Sequence, residues 1–220
     1  MSVITLTTDF GIKDHYVGSV KGALFNELEN VNIVDVSHNI SPFNIVEAAY
    51  IVENSYKNFP EGSIHIIGVD SEKTIEQSHL VIKLDNHFFI CANNGIMSLL
   101  ASKINPEKII EINIHNDKVT TFSVIDVFVK IAAHIYRGGS IDLVGNQIFK
   151  LKELYNLNPI LNEKSNEISG NVIYVDNYDN VVTNISKKTF IEFGKSRSFE
   201  INARNYIFKE IVSSYGNAIR

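Results

Sequence analysis

Apolar positions along the first two thirds of the chain switch repeatedly between strand-like and helical spacing. Val3 to Thr7 is a short apolar run that leads into a polar loop. Beyond it, Tyr16, Val17, Val20, Ala23 and Leu24 recur on one helical face. The order then repeats. Asn32 to Val36 reads as a strand, Ser41-Pro42-Phe43-Asn44 as a turn, and Ile45, Ala48, Ala49, Val52 and Tyr56 as the apolar side of a second helix. Asn44 followed by Glu47 has the form of a capping box. Ser63 to Val69 is almost continuously apolar, the pattern of a strand covered on both faces. Leu80 to Leu84 and His87 to Ala92 flank Asp85-Asn86 and predict a hairpin. A turn at Asn93-Asn94-Gly95, a short helix over Ile96 to Lys103, a strand over Lys108 to Ile114 and a helix over Val124 to Arg137 follow. Gly138-Gly139 closes that last helix. Strands alternating with helices predict an α/β N-terminal domain with a mostly parallel sheet.

Near residue 150 the texture changes. The predicted division is 1–155 for the α/β domain, 156–167 for a polar linker and 168–220 for a small antiparallel β C-terminal domain. Strands are expected over Gly170 to Val175, Val181 to Ile185, Ser198 to Asn202 and Tyr206 to Phe208, with a short helix over Lys187 to Phe193. So small a domain is thin for an independent core, and is expected to lean on the first domain or on another subunit.

Composition narrows the classes. Of 220 residues, 45% are hydrophobic and 20% charged, ordinary for a globular protein. A net charge of −5 argues against a broad nucleic-acid surface. The lone cysteine, Cys91, lies in an apolar strand and excludes an internal disulfide; it reads as inert core. With no signal peptide and no long apolar span, the expectation is a cytoplasmic protein without a membrane partner. The seven histidines show no HxH, HxxxH or HExxH spacing, so a histidine metal site is unsupported. GxGxxG, GxxxxGK[ST] and G-x-S-x-G are absent as well.

Candidate chemistry starts in the first loop. Asp9 and Asp14 flank Gly11 just after the first strand, where open α/β sheets bind ligands. Two carboxylates suit hydroxyl groups or a cation and repel phosphate. The alternative is structural: Asp14 as a helix N-cap and Asp9 as a turn former. In a parallel sheet this loop converges with Asp70, with Asn93-Asn94-Gly95 and with Thr120-Thr121-Phe122-Ser123. Asp176-Asn177-Tyr178-Asp179-Asn180 is a further polar break, equally readable as a hairpin turn.

The run Thr7-Thr8-Asp9-Phe10-Gly11, Asp14, Tyr16-Val17-Gly18, Lys21-Gly22, Val34-Asp35-Val36-Ser37-His38 and Ile40-Ser41-Pro42 resembles a known family. Phe59-Pro60-Glu61-Gly62-Ser63, Val69-Asp70, Asn94-Gly95 and Asn180-Val181-Val182-Thr183-Asn184-Ile185 continue the match. The family is the S-adenosyl-L-methionine (SAM) hydroxide adenosyltransferases, or SAM hydrolases (DUF62), relatives of the SAM-dependent fluorinase and chlorinase. The resemblance implies hydrolysis of SAM at ribose C5′ to adenosine and L-methionine, with no metal or cofactor. It implies a homotrimer whose site, for SAM or adenosine, lies between one subunit's first domain and its neighbour's second.

By the same resemblance, Asp14 with Asp9 marks the ribose end and Phe43 the aromatic near the sugar. Asp70 holds the water. Ser123, standing at the family's histidine position, joins Asp70 as a catalytic candidate; Asn94 and Phe122 bind substrate from the surrounding loops, and Asp176, Tyr178 and Asn180 belong to the segment that grips methionine and adenine. Three departures stand out. The family's V-D-P-G-V-G-[ST]-x-R ends here in Gln77 instead of arginine, and its F-H-G-R-D reads Phe122-Ser123-Val124-Ile125-Asp126. Its F-G-N turn reads Tyr178-Asp179-Asn180. Lys73 and His79 are the nearby candidates to replace the missing charge. A carboxylate at Asp70 would repel halide, which disfavours halogenation. The alternative to hydrolysis is a weak or inactive adenosine- or SAM-binding protein of the same fold. The family also extends past the equivalent of residue 220, so the C-terminal domain is expected to be incomplete.

Overall fold

The first apolar run becomes β1 (Ile4–Thr8), with all five residues buried. The computed structural model describes residues 2–102, 104–113, 121–154 and 158–217. Expectations that fall on Lys103, Ile114, His115, Thr120 and 155–157 lie outside them. The chain divides into two units after Tyr155.

In the first unit, β1 pairs in parallel with β2 (Ile33–Ser37) and β3 (Ile64–Gly68), and β3 with β5 (His87–Ala92). The expected hairpin supplies β4 (His79–Leu84), antiparallel to β5 and to β6 (Lys108–Ile112). A short β7 (Gly145–Gln147) completes the order β2-β1-β3-β5-β4-β6-β7. Strands β1, β2, β3, β5 and β6 therefore point one way and β4 and β7 the other, the mostly parallel sheet anticipated from the sequence.

Successive strand residues alternate between two cores. Ile4, Leu6, Ile64, Ile66 and Ile90 meet α1 (Tyr16–Glu27) and α4 (Val129–Tyr136) through Val20, Leu24, Phe128 and Ile131. Ile67, Leu80, Ile82, Phe89 and Cys91 meet α2 (Ile45–Ser55) and α3 (Ile96–Leu100) through Ala48, Val52 and Met97. Each fully buried aliphatic contributes about 1.5–3 kcal/mol. Burial pushes the Cys91 thiol up to about 12, so it is inert. Half of the capping box forms: Glu47 N donates to Asn44 Oδ1 at 3.1 Å, while Glu47 Oε2 accepts from Asn44 Nδ2 and Ser41 N instead of the Asn44 main chain.

One detail was not visible in the periodicity. The helix before Arg137 opens with a π-type turn, Val124–Phe128, ahead of α4. This turn packs hard on β3: a Cβ at Gly68 would lie 2.9 Å from Val124 Cγ2. Gly138, at φ +85°, closes the helix as expected, and Gly139 N donates to His134 O at 2.9 Å.

The second unit is three separate antiparallel ladders with one helix. The stretch expected as a linker contains the hairpin β8 (Ile160–Asn162) and β9 (Glu167–Ser169). Next come β10 (Val172–Val175) with β11 (Val181–Thr183), α5 (Lys187–Gly194), and β12 (Ile201–Ala203) with β13 (Tyr206–Phe208). The expected strand at Ser198 starts later, at Ile201. No described residue of this unit is buried. Among the described residues, no helix is long and apolar enough to cross a membrane.

β3 also carries His65 into the interior. Its Nδ1 lies 2.7 Å from Thr5 Oγ1 and its Nε2 3.1 Å from His87 Nδ1, and its ring stacks on Phe89. Burial first, then His87, holds its pKa down to about 3, against 6.5 for the free side chain. The unfolded chain therefore binds the extra proton between these values. Stability is full above pH 6.5 and falls as pH drops towards 3, by about 1.4 kcal/mol per pH unit for this group. Urea unfolding between pH 7 and 4 should show this loss, with the slope reduced by about one proton in His65→Gln. An unchanged slope in the variant would contradict it.

Candidate functional site

Because β1, β2, β3, β5 and β6 run the same way, their carboxyl ends share one edge of the sheet, where ligands bind in such folds. The loop after β1 is tied to the loop after β2. Phe43 N donates to Asp9 Oδ2 at 2.9 Å, and Gly11 N donates to His38 O at 2.7 Å. Phe43, at φ +63°, is held left-handed by this contact, with its ring exposed. Asp9 therefore shapes the loop while remaining part of the edge.

Beneath it, His38 Nδ1 lies 2.7 Å from Thr8 Oγ1. His38 Nε2 is 3.1 Å from Asp35 Oδ1, and against burial Lys21 and His38 draw the Asp35 carboxyl down. Lys21 is taken up by Asp35, 2.5 Å away.

Asp14 sits on the exposed rim just before α1. It is not the helix cap: His15 occupies that position, with no side-chain capping bond. Among the described residues the Asp14 carboxylate has no partner. Phe10, Tyr16 and Phe122 form a cluster, with ring centroids 5.4–5.8 Å apart. This cluster joins the first loop to Phe122-Ser123. The Ser123 hydroxyl is buried, 2% exposed, and has no hydrogen-bond partner among the described residues. Such a group costs about 1–3 kcal/mol.

Asp70 follows β3 with φ +45°, a left-handed conformation that costs a non-glycine residue about 1–2 kcal/mol. Two buried amides hold it there. Asn94 Nδ2 donates to Val69 O at 3.1 Å and to Asp70 O at 3.2 Å, while its Oδ1 accepts from Ile96 N. Gln77 Nε2 donates to Asp70 O at 2.8 Å and to Glu72 O at 2.9 Å. Both ends of the Asn94 amide are thus engaged by main chain. The Asp70 carboxyl remains part-exposed. Burial raises its pKa, Asp9 raises it further, Lys152 opposes, and Glu72 adds a smaller upward push.

His79 is not a cation here. Its Nε2 lies 3.0 Å from Ser71 O, its ring packs edge-on against Phe128, and burial lowers its pKa.

In the second unit, Asp176 Oδ1 accepts from Tyr178 N at 2.8 Å and Asn180 N at 2.9 Å. Asp176 Oδ2 accepts from Asn180 Nδ2 at 2.7 Å. The segment is a self-satisfied hairpin turn between β10 and β11, with Tyr178 exposed at its tip. These bonds hold the Asp176 carboxyl below the usual range.

Asp9 is bonded to Phe43 and Asn94 to Asp70, and the charge of Asp9 reaches Asp70; Phe122 packs on Phe10 and Tyr16, Asp14 stands on the exposed rim, and Ser123 is sealed below the surface. Sequence reasoning missed the grip of Gln77 on Asp70 and the charge of Lys152. Only the unexpected residue type at position 77 offered a hint.

Family models for the SAM hydroxide adenosyltransferase N-terminal and C-terminal domains match residues 4–145 and 170–220. The chain is 31% identical over 193 residues to an (R)-S-adenosyl-L-methionine hydrolase of Methanocaldococcus jannaschii, covering 85% of this chain and 68% of that one. It is 26% identical over 212 residues to an enzyme of the same name from Thermus thermophilus, covering 90% and 81%. Among solved structures, an uncharacterized conserved protein from Thermotoga maritima superposes with a TM-score of 0.84 at 25% identity, over 99% of this chain and 85% of that one. With both domain models matched in order along its length, this chain belongs to the SAM hydroxide adenosyltransferase family.

Proposed function

We propose that the chain hydrolyses SAM at ribose C5′, giving adenosine and L-methionine. The observation that carries this reading is Asp70 at the ligand-binding edge: two buried amides hold its main-chain carbonyl, and burial and Asp9 raise the pKa of its part-exposed carboxyl. A sulfonium is already a good leaving group, so the site needs neither a general acid nor a metal to expel it. It needs an oriented, partly desolvated water. Asp70 accepts a hydrogen bond from that water and takes its proton as the water oxygen bonds to C5′. The C5′–S electron pair leaves with the methionine sulfur. Asp14 and Asp9 serve the ribose hydroxyls, Phe43 and Phe122 the apolar faces, and Asn94 the turn that carries Asp70. Asp176, Tyr178 and Asn180 serve the methionine and adenine ends.

The second unit exposes Val172, Tyr178, Val181, Ile207 and Phe208 and buries none of its described residues. Apolar surface of this extent supports association, and the assembly proposed is a homotrimer with the site completed at subunit interfaces. Light scattering should give three times the mass of one chain; a monomer at micromolar concentration would contradict it.

A second reading has its own observation. Gln77 is neutral and occupied with main chain, and Ser123 is sealed, so the positions where the family carries arginine and histidine bring no charge. This favours an adenosine- or SAM-binding protein with little turnover. Incubation with SAM separates the two. Hydrolysis predicts equimolar adenosine and methionine above the spontaneous rate, falling by about 10²-fold or more in Asp70→Asn. Tight SAM binding without product would establish the second reading instead.

A further inference from the structure

A carboxylate that takes a proton from water works from its ionised form, and a nearby positive charge favours that form. Around Asp70 the obvious sources fail. Gln77 is a neutral amide bonded to two carbonyls, and His79 is buried on Ser71 O. Lys73 is exposed, and its charge bears on His79. Asp9 and Glu72 both act against ionisation.

Among the described residues, the cation whose charge bears on Asp70 comes from the far end of the first unit. After β7 the chain returns across the α2–α3 face, with Ile148 and Leu151 packed against that core. Lys152 N donates to Asn93 Oδ1 at 3.0 Å. The adjacent Asn94 is the residue whose amide holds Asp70 O. Two residues further on, Leu154 covers Gly95 so closely that a Cβ there would lie 2.6 Å from Leu154 Cγ. Main-chain and apolar contacts thus seat position 152 on the same turn that fixes Asp70, leaving the lysine side chain exposed.

We propose that Lys152, seated beside the turn that holds Asp70, is its cationic positioning residue, supplying through space the positive charge that position 77 does not bring. The proposal rests on the reading of Asp70 as the group that takes up the proton of water. The field of Lys152 acts in the required sense, drawing the Asp70 pKa down against burial, Asp9 and Glu72.

The test follows the Asp70 carboxyl carbon by NMR titration of the full chain, its signal identified by its loss in Asp70→Asn. In Lys152→Met the midpoint should move to higher pH, and Lys152→Arg should restore it. Lys73→Met should leave it in place. Because the Lys152 side chain is exposed, high salt should shrink the difference in midpoint between Lys152→Met and the unaltered chain. A midpoint that stays put in Lys152→Met, or that moves as far in Lys73→Met, overturns the proposal. So does a rise in KM for SAM in Lys152→Met with no movement of the titration. The titration needs no turnover, so a chain that titrates as expected yet leaves SAM intact overturns the hydrolytic reading alone.

Discussion

The carbonyl oxygen of Asp70 is the point on which the ligand-binding edge depends. Two side-chain amides from different parts of the chain, Asn94 and Gln77, converge on it and hold the residue at φ +45°. A left-handed aspartate persists only where its surroundings over-determine it. The sheet supplies those surroundings: β3 delivers Asp70, parallel β5 delivers Asn94, and the loop leading into β4 delivers Gln77. The same parallel pairing places Asp9 close enough to push the Asp70 carboxyl upward. A local strain and a local charge repulsion are therefore products of the fold as a whole.

The two units differ in kind. The first has a core on each face of its sheet, each filled by branched aliphatics from alternate strand positions. The second has short ladders, and its turn at Asp176 is held by its own hydrogen bonds instead of by a core beneath it. The first unit positions Asp70 with its own residues, while the described residues of the second unit stay unburied.

Much of this was legible in the chain because period and capping are local signals. The run through Ile4, Leu6, Ile64 and Ile66 marked the central strands, and Asn44 with Glu47 marked the start of α2 to the residue. What escaped the sequence depended on distant partners. The π-type turn at Val124 follows from close approach to Gly68, and the hairpin inside the expected linker has no apolar period to announce it. Asn94 and Asp14 show the same limit at the site. Both are polar residues in loops, yet one turns its amide into the main chain while the other leaves its carboxylate on the rim. Nothing in the spacing between Asn93 and Lys152 signals that they meet, nor that Leu154 covers Gly95 beside the turn that holds Asp70.

The central claim is that a water placed at Asp70 ends as the 5′ oxygen of the nucleoside. Turnover of SAM in water enriched in oxygen-18, followed by mass spectrometry of both products, tests it most directly. The label should appear in the 5′-hydroxyl of adenosine and not in methionine. Unlabelled adenosine, or label in methionine, would contradict attack of water at C5′.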